Sequence, residues 1–197
     1  PMGRKVNLVR AIGFSSALLA LLIVTFWLAQ SSPSSRIKQL THTSAVGSPL
    51  QLHSTPKVVP SVTFLDQDTN VTEIASFEGR MVLLNLWATW CAPCIKELPA
   101  LDKLQLALNK NNFMVLVLSL DQGGLAEIVP FWSKLGLSNL DMYIDPSMNS
   151  GQILGARGLP TTILISKDGL EIARLEGPAE WDSEELIAHL SELAEAY

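Results

Sequence analysis

Cysteine is scarce in this chain, and its scarcity excludes several kinds of protein. Only two of the 197 residues are cysteine, Cys91 and Cys94, and only three are histidine. Two thiols cannot form the several bridges of a disulfide-stabilised scaffold, and they cannot supply the four ligands of a structural zinc site. The formal net charge is −5, with no basic cluster after the first ten residues, so nothing indicates nucleic-acid binding.

Charge is absent from the largely apolar stretch Ala11–Gln30. As a helix, this stretch would span about 30 Å, the thickness of the hydrocarbon layer of a bilayer. Residues 1–10 are basic and carry no acid, so the positive-inside rule places them in the cytoplasm and the rest of the chain outside. We predict an uncleaved transmembrane signal anchor. A cleaved signal peptide is the alternative, although the apolar run exceeds the usual ~7–15 residues.

The next segment, residues 31–60, lacks any hydrophobic period and is rich in Ser, Thr, Pro and His. Such a composition offers little from which to build a core. We predict a flexible linker, with His42 and His53 solvated within it, followed by a folded domain over residues 61–197.

The folded domain alternates between strand and helix patterns. Two continuous apolar runs, Met81–Ala88 and Phe113–Leu120, have the length of buried strands, and leucines spaced by three and four follow the first run. This order predicts an α/β sandwich around a mixed sheet. The predicted strands are 62–66, 71–74, 81–88, 113–120, 161–166 and 170–176, and the predicted helices are 92–109, 125–135, 148–154 and 181–196.

The two cysteines fall where the first long strand passes into its helix. A disulfide across two intervening residues closes too short a loop to stabilise a fold much, so the pair is suited to opening and closing. Cys91 lies just before the helix, where free N–H groups and the helix dipole stabilise a thiolate, and Cys94 follows one turn later. Cys91 is therefore predicted to attack and Cys94 to resolve. A buried or metal-binding pair without redox activity is the alternative.

Several motifs together resemble the thioredoxin superfamily. They are "WATWCAPC" after "VLLN", "GLPTT" at 158–162, and a "KDG" turn after it. "CIKELPALDKL" and "GPAEWDS" make the resemblance strongest to the membrane-anchored, extracytoplasmic TlpA/ResA-like branch, and to TlpA in particular.

The resemblance implies a thioredoxin-like three-layer α/β/α sandwich with a central mixed sheet and an N-terminal β extension. An extra helix and strand would be inserted within 121–157. Pro160 would be the cis-proline that faces the Cys91–Cys94 redox-active disulfide. Leu159 would offer its backbone to a substrate, and Trp90 would form part of the docking surface.

One position departs from ordinary thioredoxins. Their buried aspartate behind the dithiol is replaced by Asn85, which cannot titrate, as is common in the TlpA/ResA-like branch. Glu97 matches a glutamate of the ResA-like pattern and is the candidate proton relay; a solvated helix carboxylate paired with a nearby lysine is the alternative. Ala92 replaces a glutamate that some ResA-like proteins carry inside the motif.

The resemblance implies a thiol:disulfide oxidoreductase without cofactor or metal, on the outer side of a bacterial cytoplasmic membrane. Electrons would come from a transmembrane thiol carrier, and the clients would be cysteine pairs of apocytochromes c or of cytochrome oxidase assembly factors. A copper-binding chaperone, a disulfide oxidase and a redox-inert adaptor are the alternatives. We expect Trp132, Trp181 and His189 to be structural residues of their helices.

Overall fold

The computed structural model describes residues 48–109 and 112–197. The basic N-terminus, the predicted signal anchor Ala11–Gln30 and His42 lie outside these ranges. Within them, no helix combines the length and the apolar character needed to cross a bilayer.

The described residues form one eight-stranded mixed sheet with helices packed on it. The strand order is β1-β8-β7-β4-β5-β6-β2-β3, with β4, β5 and β6 parallel and β7 and β8 antiparallel to their neighbours. The strands are β1 (Gln51–Val58), β2 (Thr63–Asp66), β3 (Val71–Glu73), β4 (Met81–Trp87), β5 (Phe113–Ser119), β6 (Met142–Ile144), β7 (Thr161–Ile165) and β8 (Leu170–Glu176). The helices are α1 (Ala92–Leu108), α2 (Leu125–Leu135), α3 (Asn149–Ile153) and α4 (Glu184–Ala196), with a 3₁₀ turn at Ile74–Phe77.

The central position of β4 explains its continuous apolar sequence. Successive side chains of a strand point to opposite faces of the sheet, and every side chain of β4 is buried. Met81, Leu83 and Trp87 pack with leucines of α1 and α4 on one face. Val82, Leu84 and Leu86 pack on the other face with the 3₁₀ turn. The chain therefore leaves the carboxyl end of β4, where the cysteines follow, from the middle of the core.

The predicted α/β class agrees with this architecture, and so do the extra helix and strand expected within residues 121–157. Helix α2 has the predicted bounds, and α2, β6 and α3 together occupy the segment between β5 and β7. Ser183 caps the start of α4: its Oγ accepts a hydrogen bond from the N–H of Leu186 at 3.4 Å.

The folded domain begins earlier than the predicted boundary at residue 61. Residues Gln51–Val58, assigned to the linker from their composition, form β1 and pair antiparallel with β8. Their polar character reflects an exposed edge strand rather than an unstructured tether. His53 is correspondingly not solvated: its Nε2 lies 2.7 Å from Oε1 of Glu171, and its side chain is 16% exposed.

Candidate active site

The two cysteines form a disulfide at the start of α1. Cys91 is the N-cap residue, and its Sγ accepts a hydrogen bond from the N–H of Cys94 at 3.3 Å. Pro93 occupies the first turn, where a missing N–H costs nothing. The Cys91 sulfur thus lies where unsatisfied helix N–H groups and the helix dipole stabilise a thiolate.

The two cysteines differ only slightly in exposure. Cys94 is fully buried, and Cys91 is only 6% exposed. Trp90, by contrast, is 64% exposed directly beside Cys91. A client would therefore meet the indole of Trp90 before it reaches the sulfur.

The loop before β7 leads into the strand that pairs with the end of β4, from which the chain continues to the cysteines. The Leu159–Pro160 peptide bond is cis, and Thr161, the next residue, pairs with Leu86 near the end of β4. Thr161 Oγ1 donates a hydrogen bond to the carbonyl of Gly158 at 2.7 Å, which ties this turn together.

A groove of about 370 Å³ runs between Trp90 and this loop. Leu159 lines it on one side, and Met148, with Gln152 of α3, lines it on the other. Met148 adopts a positive φ of 59°, and its Sδ accepts a hydrogen bond from Nε2 of Gln122 at 3.4 Å. The insertion between β5 and β7 therefore lines a groove together with Trp90, the residue before Cys91.

Glu97, three residues after Cys94 on α1, is buried at the centre of a hydrogen-bond network. Its Oε1 accepts from Nδ2 of Asn85 at 2.8 Å, and its Oε2 accepts from the N–H of Ala179 at 3.1 Å and from Nε1 of Trp181 at 3.0 Å. Burial raises the pKa of Glu97 above its usual value, although these three donors pull it back in part. A carboxyl with a raised pKa is suited to exchanging a proton.

The surface-carboxylate interpretation of Glu97 is therefore wrong. Glu97 is only 4% exposed. It accepts hydrogen bonds from Asn85, Ala179 and Trp181 and not from the lysine that a surface carboxylate would pair with. It borders a cleft of about 580 Å³ between Pro93 and Pro178, where solvent can approach the network. The helix position of Glu97 alone does not reveal this, because the covering segment lies more than eighty residues later.

Asn85 joins this network to β7. Besides Glu97, its Nδ2 donates to Oγ1 of Thr162 at 3.0 Å, and its Oδ1 has no hydrogen-bond partner within the described part of the chain. Rotation of the amide would exchange the two atoms, so Asn85 can donate to an ionised Glu97 or accept from a protonated one. It cannot hold a proton itself.

Sequence reasoning missed two contributors to this site. Trp181 is fully buried, but it precedes α4 and bonds to Glu97 instead of merely packing within a helix. Asp121, also fully buried, accepts hydrogen bonds from Thr89 in the loop before Cys91. A tryptophan in "GPAEWDS" and an aspartate directly after an apolar strand were the available signals.

Trp132 and His189 lie on the helices predicted for them. Trp132 of α2 lies against Trp87, with ring centroids 6.4 Å apart. His189 is on α4, where burial lowers its pKa. In residues 48–109 and 112–197, no three His, Cys, Asp or Glu side chains come together as a metal site would require.

Comparison with known proteins agrees with this site. The Redoxin family model matches residues 54–189, more than half of the chain. The chain belongs to the Redoxin family. The thiol-disulfide oxidoreductase ResA of Bacillus thuringiensis subsp. konkukian is 30% identical over 137 residues, which are 70% of this chain and 77% of that protein. The chain is therefore a TlpA/ResA-like member of the thioredoxin superfamily and a thiol-disulfide oxidoreductase, whose clients are cysteine-containing proteins.

Solved structures agree on the fold. The thioredoxin domain of a thiol-disulfide oxidoreductase from Bacteroides vulgatus has a TM-score of 0.60 at 21% identity, over 72% of this chain and 99% of its own. The exposed lipoprotein thioredoxin Etrx1 of Streptococcus pneumoniae has a TM-score of 0.57 at 23% identity, over 68% of this chain and 99% of its own. The fold is thus thioredoxin-like.

Proposed function

We propose that this protein is a membrane-anchored thiol-disulfide reductase that acts outside the cytoplasm of a bacterium. The observation that carries the exchange activity is the Cys91–Cys94 pair at the start of α1, with the buried carboxyl of Glu97 on the same helix. The reductive direction follows the resemblance to the TlpA/ResA-like branch. The apolar stretch Ala11–Gln30, with its basic flank, supports the anchor and the orientation.

Client reduction proceeds by two thiol-disulfide exchanges. The Cys91 thiolate attacks one sulfur of a client disulfide, which forms a mixed disulfide and releases the other client sulfur as a thiolate. Cys94 then attacks the Cys91 sulfur, which forms the Cys91–Cys94 disulfide and releases the second client thiolate. The client gains two electrons and this protein loses two. A transmembrane thiol carrier would return the protein to its dithiol form by the same exchange.

Glu97 would act as the proton relay for Cys94. This thiol is fully buried and must lose its proton before it attacks, and Asn85 cannot take that proton. Glu97 lies three residues after Cys94 on the same helix and borders the cleft, through which the proton could pass to solvent. Its raised pKa brings it nearer to the pH at which exchange takes place.

The groove beside Trp90 would hold the client segment that carries the disulfide. Trp90 and Leu159 line this groove, and the cis bond joins Leu159 to Pro160. The backbone of Leu159 would pair with an extended client strand. Apocytochromes c and cytochrome oxidase assembly factors, whose cysteines await haem or copper, are the proposed clients. This proposal follows the resemblance to the TlpA/ResA-like branch and its ResA relatives.

The reduction potential of the Cys91–Cys94 pair tests the proposed direction. The full chain is equilibrated with defined ratios of reduced and oxidised thiol buffer, and the free cysteines are alkylated and counted. We expect a potential in the range of about −230 to −270 mV, typical of cellular reductases. A value near −120 mV, as in strong oxidants, would instead make the protein an oxidase. Failure of the reduced protein to cleave insulin disulfides would contradict the reductase direction.

A further inference from the structure

A buried carboxylate fixes the loop from which the dithiol helix starts. Asp121 directly follows β5 and Leu120, and it is fully buried. The backbone N–H of Thr89 donates to its Oδ1 at 3.2 Å and to its Oδ2 at 2.9 Å, and Thr89 Oγ1 donates to Oδ1 at 2.7 Å. Because Thr89 lies two residues before Cys91, these bonds act on the backbone that carries the attacking sulfur.

A third group completes this carboxylate site. Ser119 Oγ donates to Oδ2 of Asp121 at 2.7 Å and accepts from the N–H of Asp121 at 3.1 Å. Every group that contacts the two oxygens is a donor, as an ionised carboxylate requires. Hydrogen bonds to an ionised acceptor are about twice as strong as neutral ones, so Thr89 is held firmly.

Two backbone hydrogen bonds near this loop do not involve Thr89. The N–H of Leu120 donates to the carbonyl of Trp87 at 2.9 Å, and the N–H of Cys91 donates to the carbonyl of Ala88 at 3.1 Å. Neither bond involves the N–H or the side chain of Thr89. Asp121 is therefore the group that restrains this residue.

We propose that Asp121 is a positioning residue of the dithiol. Through Thr89 it holds the loop so that the Cys91 sulfur stays next to Cys94, which stabilises the disulfide relative to the dithiol. Restricting two reacting groups to one geometry raises their effective concentration and favours the bond between them. The inference rests on the redox activity of the Cys91–Cys94 pair and adds a residue that sets its equilibrium.

The charge of Asp121 acts in the same direction. Asp121 is bonded to Thr89, two residues before Cys91, and a negative charge fixed there would disfavour the Cys91 thiolate. The thiolate exists only in the reduced protein, so the carboxylate destabilises the reduced form and leaves the disulfide unaffected. Both effects predict that loss of Asp121 makes the dithiol a weaker reductant.

The equilibrium with glutathione measures this effect. One protein disulfide and two glutathione thiols give one protein dithiol and one glutathione disulfide. The ratio of dithiol to disulfide protein is measured by alkylation and mass spectrometry on the full chain. We expect Asp121→Asn to shift this equilibrium about tenfold towards the dithiol, which corresponds to one pKa unit of differential interaction. Thr89→Val keeps the charge and the shape but removes the hydroxyl donor, and we expect a smaller shift, of roughly threefold, because the backbone N–H of Thr89 still donates to Asp121.

Two variants separate positioning from a general loss of stability. Thr89→Ser keeps the hydroxyl and should retain the wild-type equilibrium. Asp102 offers a matched buried carboxylate further along α1, where its Oδ1 accepts from the N–H groups of Ser138, Asn139 and Leu140. Asp102→Asn should lower the free energy of unfolding without moving the glutathione equilibrium.

The results distinguish this inference from the proposed function. If Asp121→Asn and Thr89→Val both fold and keep the wild-type equilibrium within a factor of two, Asp121 is not a positioning residue. If Asp102→Asn shifts the equilibrium as much as Asp121→Asn, the effect is general and the inference is equally overturned. Should Asp121→Asn not fold, Thr89→Val and Thr89→Ser still decide. Insulin reduction by the wild-type chain tests the function independently.

Discussion

Glu97 and Trp181 are joined by a buried hydrogen bond although 84 residues separate them in the chain. The indole Nε1 of Trp181 donates to Oε2 of Glu97 at 3.0 Å, and the neighbouring N–H of Ala179 donates to the same oxygen. The segment after β8 thus covers the carboxyl of Glu97, which lies in the first turns of α1. The environment of the proposed proton relay is completed only when the last part of the chain has folded.

Substituting each cysteine separately tests the division of labour between them. Cys91→Ser should abolish reductase activity and rapid alkylation near neutral pH, because Cys94 is fully buried. Cys94→Ser should keep the reactive thiol but lose the second exchange, so mixed disulfides with clients accumulate on a non-reducing gel. If Cys91→Ser instead accumulates the mixed disulfides, the roles of the two cysteines are reversed. If both variants keep reductase activity and still release their clients, the two cysteines are not the active site.

Glu97→Gln tests the proton relay through the pH dependence of exchange. The wild-type rate of the second exchange should show an inflection above the ordinary glutamate pKa of 4.5, because burial raises the pKa of Glu97. The variant should lack this inflection. The fold should tolerate the change, since the Asn85 amide can rotate to present its unpaired Oδ1 to the new amide group. Superimposable pH–rate profiles of the two proteins would exclude Glu97 from proton transfer.

The same residue should leave a signature in stability. The pKa of Glu97 is higher in the folded than in the unfolded chain, so between these two values the folded state binds more protons. The free energy of unfolding should therefore fall as the pH rises from 4.5 to the raised pKa and then level off. Urea denaturation at a series of pH values should show this decline for the wild type and not for Glu97→Gln.

Trp181→Phe isolates the hydrogen bond between the two residues. The phenyl ring keeps most of the buried apolar surface, while Oε2 of Glu97 loses a donor. We expect a loss of about 2 kcal/mol in the free energy of unfolding and a further rise in the pKa of Glu97. Denaturation and NMR titration measure the two effects. Trp132→Phe, which removes no hydrogen bond to Glu97, is the control and should leave that pKa in place.

The proposed anchor is tested by fractionation of the full chain. If Ala11–Gln30 remains attached and spans the bilayer, the protein should stay with membranes through an alkaline wash, and its N-terminal peptide should contain Arg4. A charge in the middle of the apolar stretch, as in Leu21→Lys, should weaken this retention, because a lysine at the bilayer centre costs about 3 kcal/mol. A mature N-terminus near Ser31 would instead identify a cleaved signal peptide.

Much of this fold could be predicted from the sequence because the hydrophobic pattern is strong where the core lies. β4 and β5 are buried on both faces, so their apolar runs identify them directly. Cys91 at the start of α1 follows from the strand-to-helix transition around it. The cis bond before Pro160 was predictable only through the family resemblance, because composition does not distinguish the isomers.

The rest depends on contacts between distant segments, which leave no periodic signal. β1 contains polar residues and Pro56, and only its pairing with β8 makes it a strand. Glu97 has the sequence context of a surface helix residue, and its burial depends on Ala179 and Trp181. The hydrogen bonds between Asp121 and Thr89 join the ends of two neighbouring parallel strands, β5 and β4, whose register no local pattern reveals.

The two outer strands of the sheet have a consequence for self-association. An unpaired strand edge can add a strand from another molecule, and this is a common start of aggregation. Here β3, at one edge, is only three residues long, and β1, at the other, carries Pro56, Lys57 and a register irregularity. Short length, proline and lysine all discourage further pairing. The sheet is thereby protected against growth at both margins even at high local concentration.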